Sequence, residues 1–218
     1  MTTTADRRQK ILDGIAAATR LAQRDHSEVQ LIAVTKGRSA EEIEALIAAG
    51  QRDFGESRVQ EALSKWPALM ARYPEIRLHC IGKLQSNKAS DAVKLFDVIH
   101  SVDRLSLLDT LAKEGVKSER SPQVYVQVNV GEEDQKGGCA IEEIGEIVAA
   151  VRASPIPLAG LMCIPPLGPK PAPYFALLQK LSRRHEVTGL SMGMSADYKE
   201  AVMLGATAVR VGTALFQD

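Results

Sequence analysis

Leu31-Ile-Ala-Val-Thr-Lys36-Gly37 is the stretch that decides the fold. Four apolar residues in succession read as a buried strand, the kind a parallel sheet needs. A lysine stands where that strand should end, and a glycine follows. An ammonium there must be desolvated or must reach water. One reading is a lysine that caps the strand and snorkels to solvent. The other is an amine held partly desolvated on a rigid strand end, with a lowered pKa, able to condense with an aldehyde. The lysine alone leaves both open.

Outward from this strand (Val29–Thr35), strands and helices alternate. Upstream, apolar residues at Ile11, Ile15, Ala18 and Ala22 predict a helix across Ala5–Asp25. Downstream, Ser39 reads as the N-cap and Gly50 as the stop of a helix over Ala40–Ala49. Asp53–Gly55 is a short strand signal, and Val59–Arg72 is helical with a kink expected at Pro67. Arg77–Ile81 and Asp97–Ser101 read as strands on either side of a helix at Ala89–Phe96. Asp103 is expected to cap a helix over Arg104–Glu114. Gln123–Val128 is the clearest strand, followed by a helix at Ile141–Ala153 and a strand at Leu158–Cys163. Most of the ten prolines fall between Pro155 and Pro173. That density predicts an ordered, non-helical connection over Pro165–Pro173. A helix at Tyr174–His185, a short strand at Gly189–Met192, a helix at Asp197–Leu204 and a strand at Ala208–Val211 complete the pattern.

Strict alternation predicts parallel strands joined by helical crossovers. Eight such units predict an α/β fold, a single (β/α)8 barrel of the TIM type over residues 1–218, with an extra N-terminal helix. An open doubly wound sheet is the alternative. After the last strand only Ala214–Asp218 remains, too short for a covering helix. The N-terminal helix is therefore expected to cover the seam between the first and last strands.

Composition narrows the function classes. The 218 residues carry 27 basic and 27 acidic side chains. Zero net charge gives no footprint for nucleic acid or an anionic membrane. No apolar run approaches the roughly 18 residues of a membrane span. The first ten residues lack an apolar signal region. Cys80, Cys139 and Cys163 are far apart and form no C-x-x-C, so a reducing cytoplasm is the expected setting. His26, His79, His100 and His185 show no ligand spacing. No Walker A, G-x-G-x-x-G or H-E-x-x-H pattern occurs.

The unusual residues gather after the strands. Lys36-Gly37 follows the first, Gly55-Glu-Ser-Arg58 the second, and Gly82-Lys-Leu-Gln-Ser-Asn-Lys88 the third. Asn129 and the Gly131–Gly138 turn follow the fifth. Ser191-Met-Gly-Met-Ser195 follows the seventh, and Arg210-Val-Gly-Thr213 closes the eighth. In a parallel barrel these ends share the face where active sites form. Two glycine- and hydroxyl-bearing turns on adjacent strands suit a phosphate. One face thus offers an amine, a phosphate cradle and a guanidinium. Pyridoxal 5′-phosphate carries an aldehyde, a phosphate and a ring nitrogen. A Schiff-base aldolase acting on a sugar phosphate would need much the same set.

The runs Ala33-Val-Thr-Lys36, Phe54-Gly-Glu-Ser-Arg-Val-Gln-Glu61, His79-Cys-Ile-Gly-Lys-Leu-Gln-Ser-Asn-Lys88, Val128-Asn-Val-Gly-Glu-Glu, Gly160-Leu-Met-Cys-Ile-Pro-Pro166, Leu190-Ser-Met-Gly-Met-Ser195 and Val209-Arg-Val-Gly-Thr213 resemble the pyridoxal phosphate homeostasis protein family. The resemblance spans about Leu31 to Phe216. It implies a fold similar to the N-terminal barrel of alanine racemase. It implies that Lys36 carries pyridoxal 5′-phosphate as an internal aldimine, that Ser191, Gly193, Gly212 and Thr213 hold the phosphate, and that Arg210 faces the ring nitrogen. It further implies a carrier or buffer in vitamin B6 homeostasis without established catalysis, with apo-enzymes as recipients and a monomeric state. The chain departs from the family at two places. Thr35-Lys36-Gly37 stands where Ser-Lys-Thr is usual, and Ser57 where asparagine is usual.

Arg210 bears on enzyme against carrier. Arginine stays protonated, so it can donate to a ring nitrogen but will not hand over a proton. An unprotonated ring is a poorer electron sink. The barrel consumes the whole 218 residues, leaving none for the second domain that supplies a racemase with its general base. A carrier is therefore expected. A racemase or related pyridoxal-phosphate enzyme on small amino acids, and a Schiff-base aldolase, are the alternatives.

Overall fold

A computed structural model describes residues 3–133, 135–168 and 170–217. Its first helix, α1 (Thr4–Leu21), starts from a capping box. Thr3 accepts from the Asp6 amide, and the Asp6 carboxylate accepts from the Thr3 amide. Eight strands follow: β1 (Gln30–Val34), β2 (Asp53–Glu56), β3 (Arg77–Cys80), β4 (Val98–Val102), β5 (Gln123–Gln127), β6 (Leu158–Met162), β7 (Leu190–Ser191) and β8 (Ala208–Val211). All pair in parallel in sequence order. β1 also pairs with β8, Gln30 opposite Ala208 through Ala33 opposite Val211, which closes the barrel. The open sheet is thereby excluded.

The intervening helices are α2 (Ala40–Ala48), α3 (Val59–Arg72), α4 (Ala89–Leu95), α5 (Leu105–Ser118), α6 (Ile144–Ala153), α7 (Ala172–Arg184) and α8 (Tyr198–Met203). A single turn, α9 (Thr213–Phe216), ends the described chain. Ser39 caps α2 with Glu42 as its reciprocal partner. Two expectations need correction. Asp103 does not cap α5. Its carboxylate pairs with Arg104 at 2.5 Å, and the helix starts one residue later without a side-chain cap. The proline-rich connection ends sooner than predicted, because α7 begins at Ala172 with Pro171 as its N-cap residue and Pro173 in its first turn. Proline is tolerated there since the first helical N–H groups have no partner to lose.

Side chains form two layers. Between strands and helices lies the main core, with Trp66, Phe54, Phe96 and Phe175 fully buried. Inside the barrel a small apolar cluster, Val98, Tyr125 and Met162, is separate from it. The remaining interior includes Ile32 and the polar residues His79, His100, Ser191 and Arg210, all buried. Helix α1 buries Ile11, Ile15 and Ala18 and packs against α8, α9 and α2. It lies over the β8–β1 seam. Hydrogen bonds pin this segment: Arg7 donates to the Leu215 carbonyl at 3.1 Å, Arg8 to Gln51 Oε1 and the Gly50 carbonyl at 3.0 Å, and Arg24 to the Val202 carbonyl at 2.8 Å.

Candidate functional site

A cleft of about 420 Å³ opens at the C-terminal mouth of the barrel. Lys36, Arg210, Gly212 and Thr213 line it, together with Arg38, Ser57 and Ser195. Strand β8 supplies Arg210, and the loops after β1, β2, β7 and β8 supply the others.

Lys36 is not on the strand. β1 ends at Val34, and Lys36 occupies the following turn, exposed. Of the two readings open in sequence, the solvent-reaching amine is the one found, and it meets the cleft at its rim. The turn itself is rigid. Gly37 adopts φ +69° with nothing within 4 Å of a would-be Cβ, and its N–H donates to Glu61 at 2.5 Å. The left-handed backbone suits glycine at the place where the family usually has threonine. Burial raises the Glu61 pKa, but the Gly37 N–H and the Lys65 ammonium outweigh it, and the carboxyl lies below its ordinary value. Thr35 is held from both ends. Its hydroxyl donates to Glu56 Oε1 at 2.7 Å, and its carbonyl accepts from Lys65 at 2.9 Å.

Arg210 projects inward from β8 and is almost fully buried. Nη1 donates to Ser191 Oγ at 2.6 Å and Nη2 to the Cys163 carbonyl at 2.9 Å. Burial lowers its pKa, with the Cys163 and Asp197 side chains opposing that shift. A guanidinium nonetheless remains charged.

Ser191 and Gly193, expected to hold a phosphate, do not line the cleft. Ser191 is fully buried beneath Arg210, its hydroxyl engaged by Arg210 and by His100 Nδ1 at 2.8 Å. Gly193 is also buried, at φ +94°, and a Cβ there would lie 2.6 Å from that of Ala201. Its role is to let the turn pack on α8. The cleft wall from this turn is Met194, Ser195 and Ala196. Ser195 Oγ accepts from the Gly212 and Ala214 amides at 3.3 and 3.5 Å, tying the two turns together.

The histidines were scattered in sequence, but two of them meet. His79 Nδ1 lies 3.0 Å from His100 Nε2, and His79 Nε2 lies 3.1 Å from Asp53 Oδ1. The three cysteines are all buried, and burial pushes each thiol up to about 12, so none offers a thiolate. Among the described residues no group of three side chains is placed to hold a metal ion, and no helix is long and apolar enough to cross a membrane.

Residues 12–218 match the family model described as alanine racemase, N-terminal domain. The pyridoxal phosphate homeostasis protein of Synechocystis is 42% identical over 200 residues, covering 87% of this chain and 91% of that one. Its counterpart in Pseudomonas aeruginosa is 40% identical over 222 residues, covering 99% and 96%. Among solved structures, PipY of Synechococcus elongatus with PLP bound superposes with a TM-score of 0.80 at 39% identity, covering 93% of this chain and 100% of that one. An alanine racemase from Clostridium difficile shares the fold at a TM-score of 0.71 and 14% identity. That match covers 95% of this chain and 56% of the racemase. The chain therefore belongs to the alanine racemase N-terminal domain family and, within it, to the pyridoxal phosphate homeostasis proteins.

Proposed function

We propose that this protein binds pyridoxal 5′-phosphate in the cleft and holds it for vitamin B6 homeostasis rather than turning over a substrate. The observation that carries this reading is the convergence of one exposed amine and one buried guanidinium on a single cleft beside two linked turns. The donor set fits the group. When bound, pyridoxal phosphate supplies an aldehyde that a primary amine captures reversibly and a ring that withdraws electrons. Lys36 is the amine that binds it covalently. Gly212 and Thr213 hold the phosphate, with Ser195 in the place first assigned to Ser191. Gly193 shapes the turn without touching the ligand. Arg210 orients the ring by donating to its nitrogen and, staying protonated itself, keeps that nitrogen unprotonated.

Two features favour holding over turnover. The ring stays a weak electron sink opposite an arginine. Lys36 stands exposed, so water and a recipient protein can both reach the bond it makes. The relatives' names, homeostasis proteins rather than enzymes, agree. The single barrel over residues 1–218 is the functional unit in this reading. It acts as a cytoplasmic monomer that passes cofactor to apo-enzymes. The test is intact-mass measurement after borohydride reduction, followed by transfer from unreduced protein to an apo-enzyme. Wild type is expected to carry one adduct and to reactivate the recipient. A protein without any adduct would end the proposal.

A further inference from the structure

Arg210 is a buried cation, and among the described residues its hydrogen-bond partners are a hydroxyl and a carbonyl rather than a carboxylate. Uncompensated charge is costly to bury. A chain of hydrogen bonds leads from it to a compensating anion. Ser191 Oγ meets His100 Nδ1 at 2.8 Å, His100 Nε2 meets His79 Nδ1 at 3.0 Å, and His79 Nε2 meets Asp53 Oδ1 at 3.1 Å. Gln30 Nε2 also donates to Asp53 Oδ1, at 2.6 Å. Asp53 is the first residue of β2, so the chain runs from the cleft through the barrel to the opposite mouth.

The two ends decide where every proton sits. A carboxylate only accepts, so His79 carries its hydrogen on Nε2 and presents a bare Nδ1. His100 must then donate through Nε2 and accept at Nδ1. Ser191 donates its hydroxyl hydrogen to that Nδ1, which leaves its lone pairs for Arg210, a group that can only donate. All hydrogens point from Arg210 towards Asp53. Each link turns its electronegative end to the cation and its hydrogen to the carboxylate. The Tyr125 ring stacks on His100 at 4.4 Å and 18°, which keeps the imidazole in plane.

We propose that Asp53, His79 and His100 are positioning residues for the bound cofactor: through Ser191 they hold Arg210 as a fixed donor to the ring nitrogen. This rests on the reading that Arg210 faces that ring. Neutral imidazoles are required, and burial favours them. His79 lies below its ordinary pKa through desolvation and Arg77, against Asp53 and Asp97. His100 lies well below it through desolvation, His79, Arg210 and Arg77.

Asp53→Asn is the informative change, because an amide can donate as well as accept. The chain can then reverse, with both imidazoles protonated on Nδ1 and the Ser191 hydroxyl hydrogen left without an acceptor. The first measurement is ¹⁵N NMR of histidine-labelled protein without cofactor at pH 7. Wild type is expected to show two neutral Nε2–H tautomers, and Asp53→Asn a mixture. A wild-type Nδ1–H tautomer or imidazolium at either position would overturn the proton order. The second measurement is the visible spectrum of protein loaded with pyridoxal phosphate. Asp53→Asn is expected to retain the covalent adduct but to shift the band and the pH at which it changes, and Asp53→Glu to restore both. Ser191→Ala cuts the chain beside Arg210 and is the second variant should Asp53→Asn not fold. It is expected to shift the band in the same direction. Unaltered spectra in the folded variants would reduce the chain to a structural feature. If wild type takes up no pyridoxal phosphate, the reading of the cleft fails, while the NMR result still decides the proton order.

Discussion

Glu56 and Lys65 anchor Thr35, the residue before Lys36. Glu56 is fully buried, and its Oε1 gathers the Thr35 hydroxyl, the Trp66 indole at 3.0 Å and the Lys65 ammonium at 2.7 Å. Breaking a buried pair strands a charge, at about 3–5 kcal/mol. Lys65→Met is therefore expected to lower the unfolding free energy by that much in urea titration and to weaken cofactor capture, since the Thr35 carbonyl loses its donor. Unchanged stability would mean the pair is solvated. Lys36→Ala should behave oppositely. Lys36 is exposed, so stability should move by less than about 0.5 kcal/mol while the borohydride-trapped adduct disappears. An adduct surviving in that variant would place the covalent bond elsewhere. Arg210→Lys replaces a planar fork by a point charge and should change the spectrum of the bound cofactor, because one ammonium cannot serve Ser191, Cys163 and a ring together. A spectrum and pH profile like wild type would remove Arg210 from the ring. Residue types and their order along the chain were enough to bring Lys36, Arg210, Gly212 and Thr213 to one cleft. They were not enough to find which way Ser191 points. β7 is two residues long and gives no alternation to read. The histidines did carry a signal. His79 and His100 each stand third in their strands, the same inward phase as Arg210 in β8.

Among the elements, α1 shows how a pattern acquires a place. Its apolar stripe was visible in sequence, and the fold sets that stripe at the seam where closure makes β1 and β8 neighbours. Ile15 is buried at 3% exposure in that contact. Ile15→Ala should cost about 2–5 kcal/mol, read from chemical denaturation, and deleting residues 1–25 should cause aggregation or a large fall in melting temperature. A truncated protein that stays monomeric, equally stable and able to bind cofactor would show the helix to be dispensable. Helix and strand interiors followed the sequence closely, since burial period and caps are local. Ends were less legible. Asp103 had a cap's chemistry, but its neighbour Arg104 took the carboxylate. Pro171 and Pro173 looked like helix breakers, yet they stand where a first turn has no hydrogen bond to lose.

On the scale of the whole molecule, a polar chain crosses a barrel interior that would otherwise be filled with apolar layers. That choice has a thermodynamic signature. Burial holds the pKa values of His79 and His100 below the ordinary 6.5, which favours the neutral imidazole in the folded protein. In the unfolded chain they take up protons as the pH falls through about 6.5. A lowered folded-state pKa means that the stabilisation is present above 6.5 and lost on acidification, because the unfolded state then binds more protons. Each such group adds at most about 1.4 kcal/mol per pH unit below that point, so two of them set a ceiling of about 2.7 kcal/mol per pH unit. Carboxylates contribute little in this window, since the lowered ones, such as Glu61 and Glu114, start from 4.5. Urea titrations at half-unit steps from pH 7.5 to 5 measure the slope. His79→Gln and His100→Gln should each remove about half of it, whatever they do to absolute stability. A wild-type slope near zero would mean that the imidazoles take up protons while folded, and the one-way hydrogen-bond chain from Arg210 to Asp53 would then not exist at the pH where the cofactor binds.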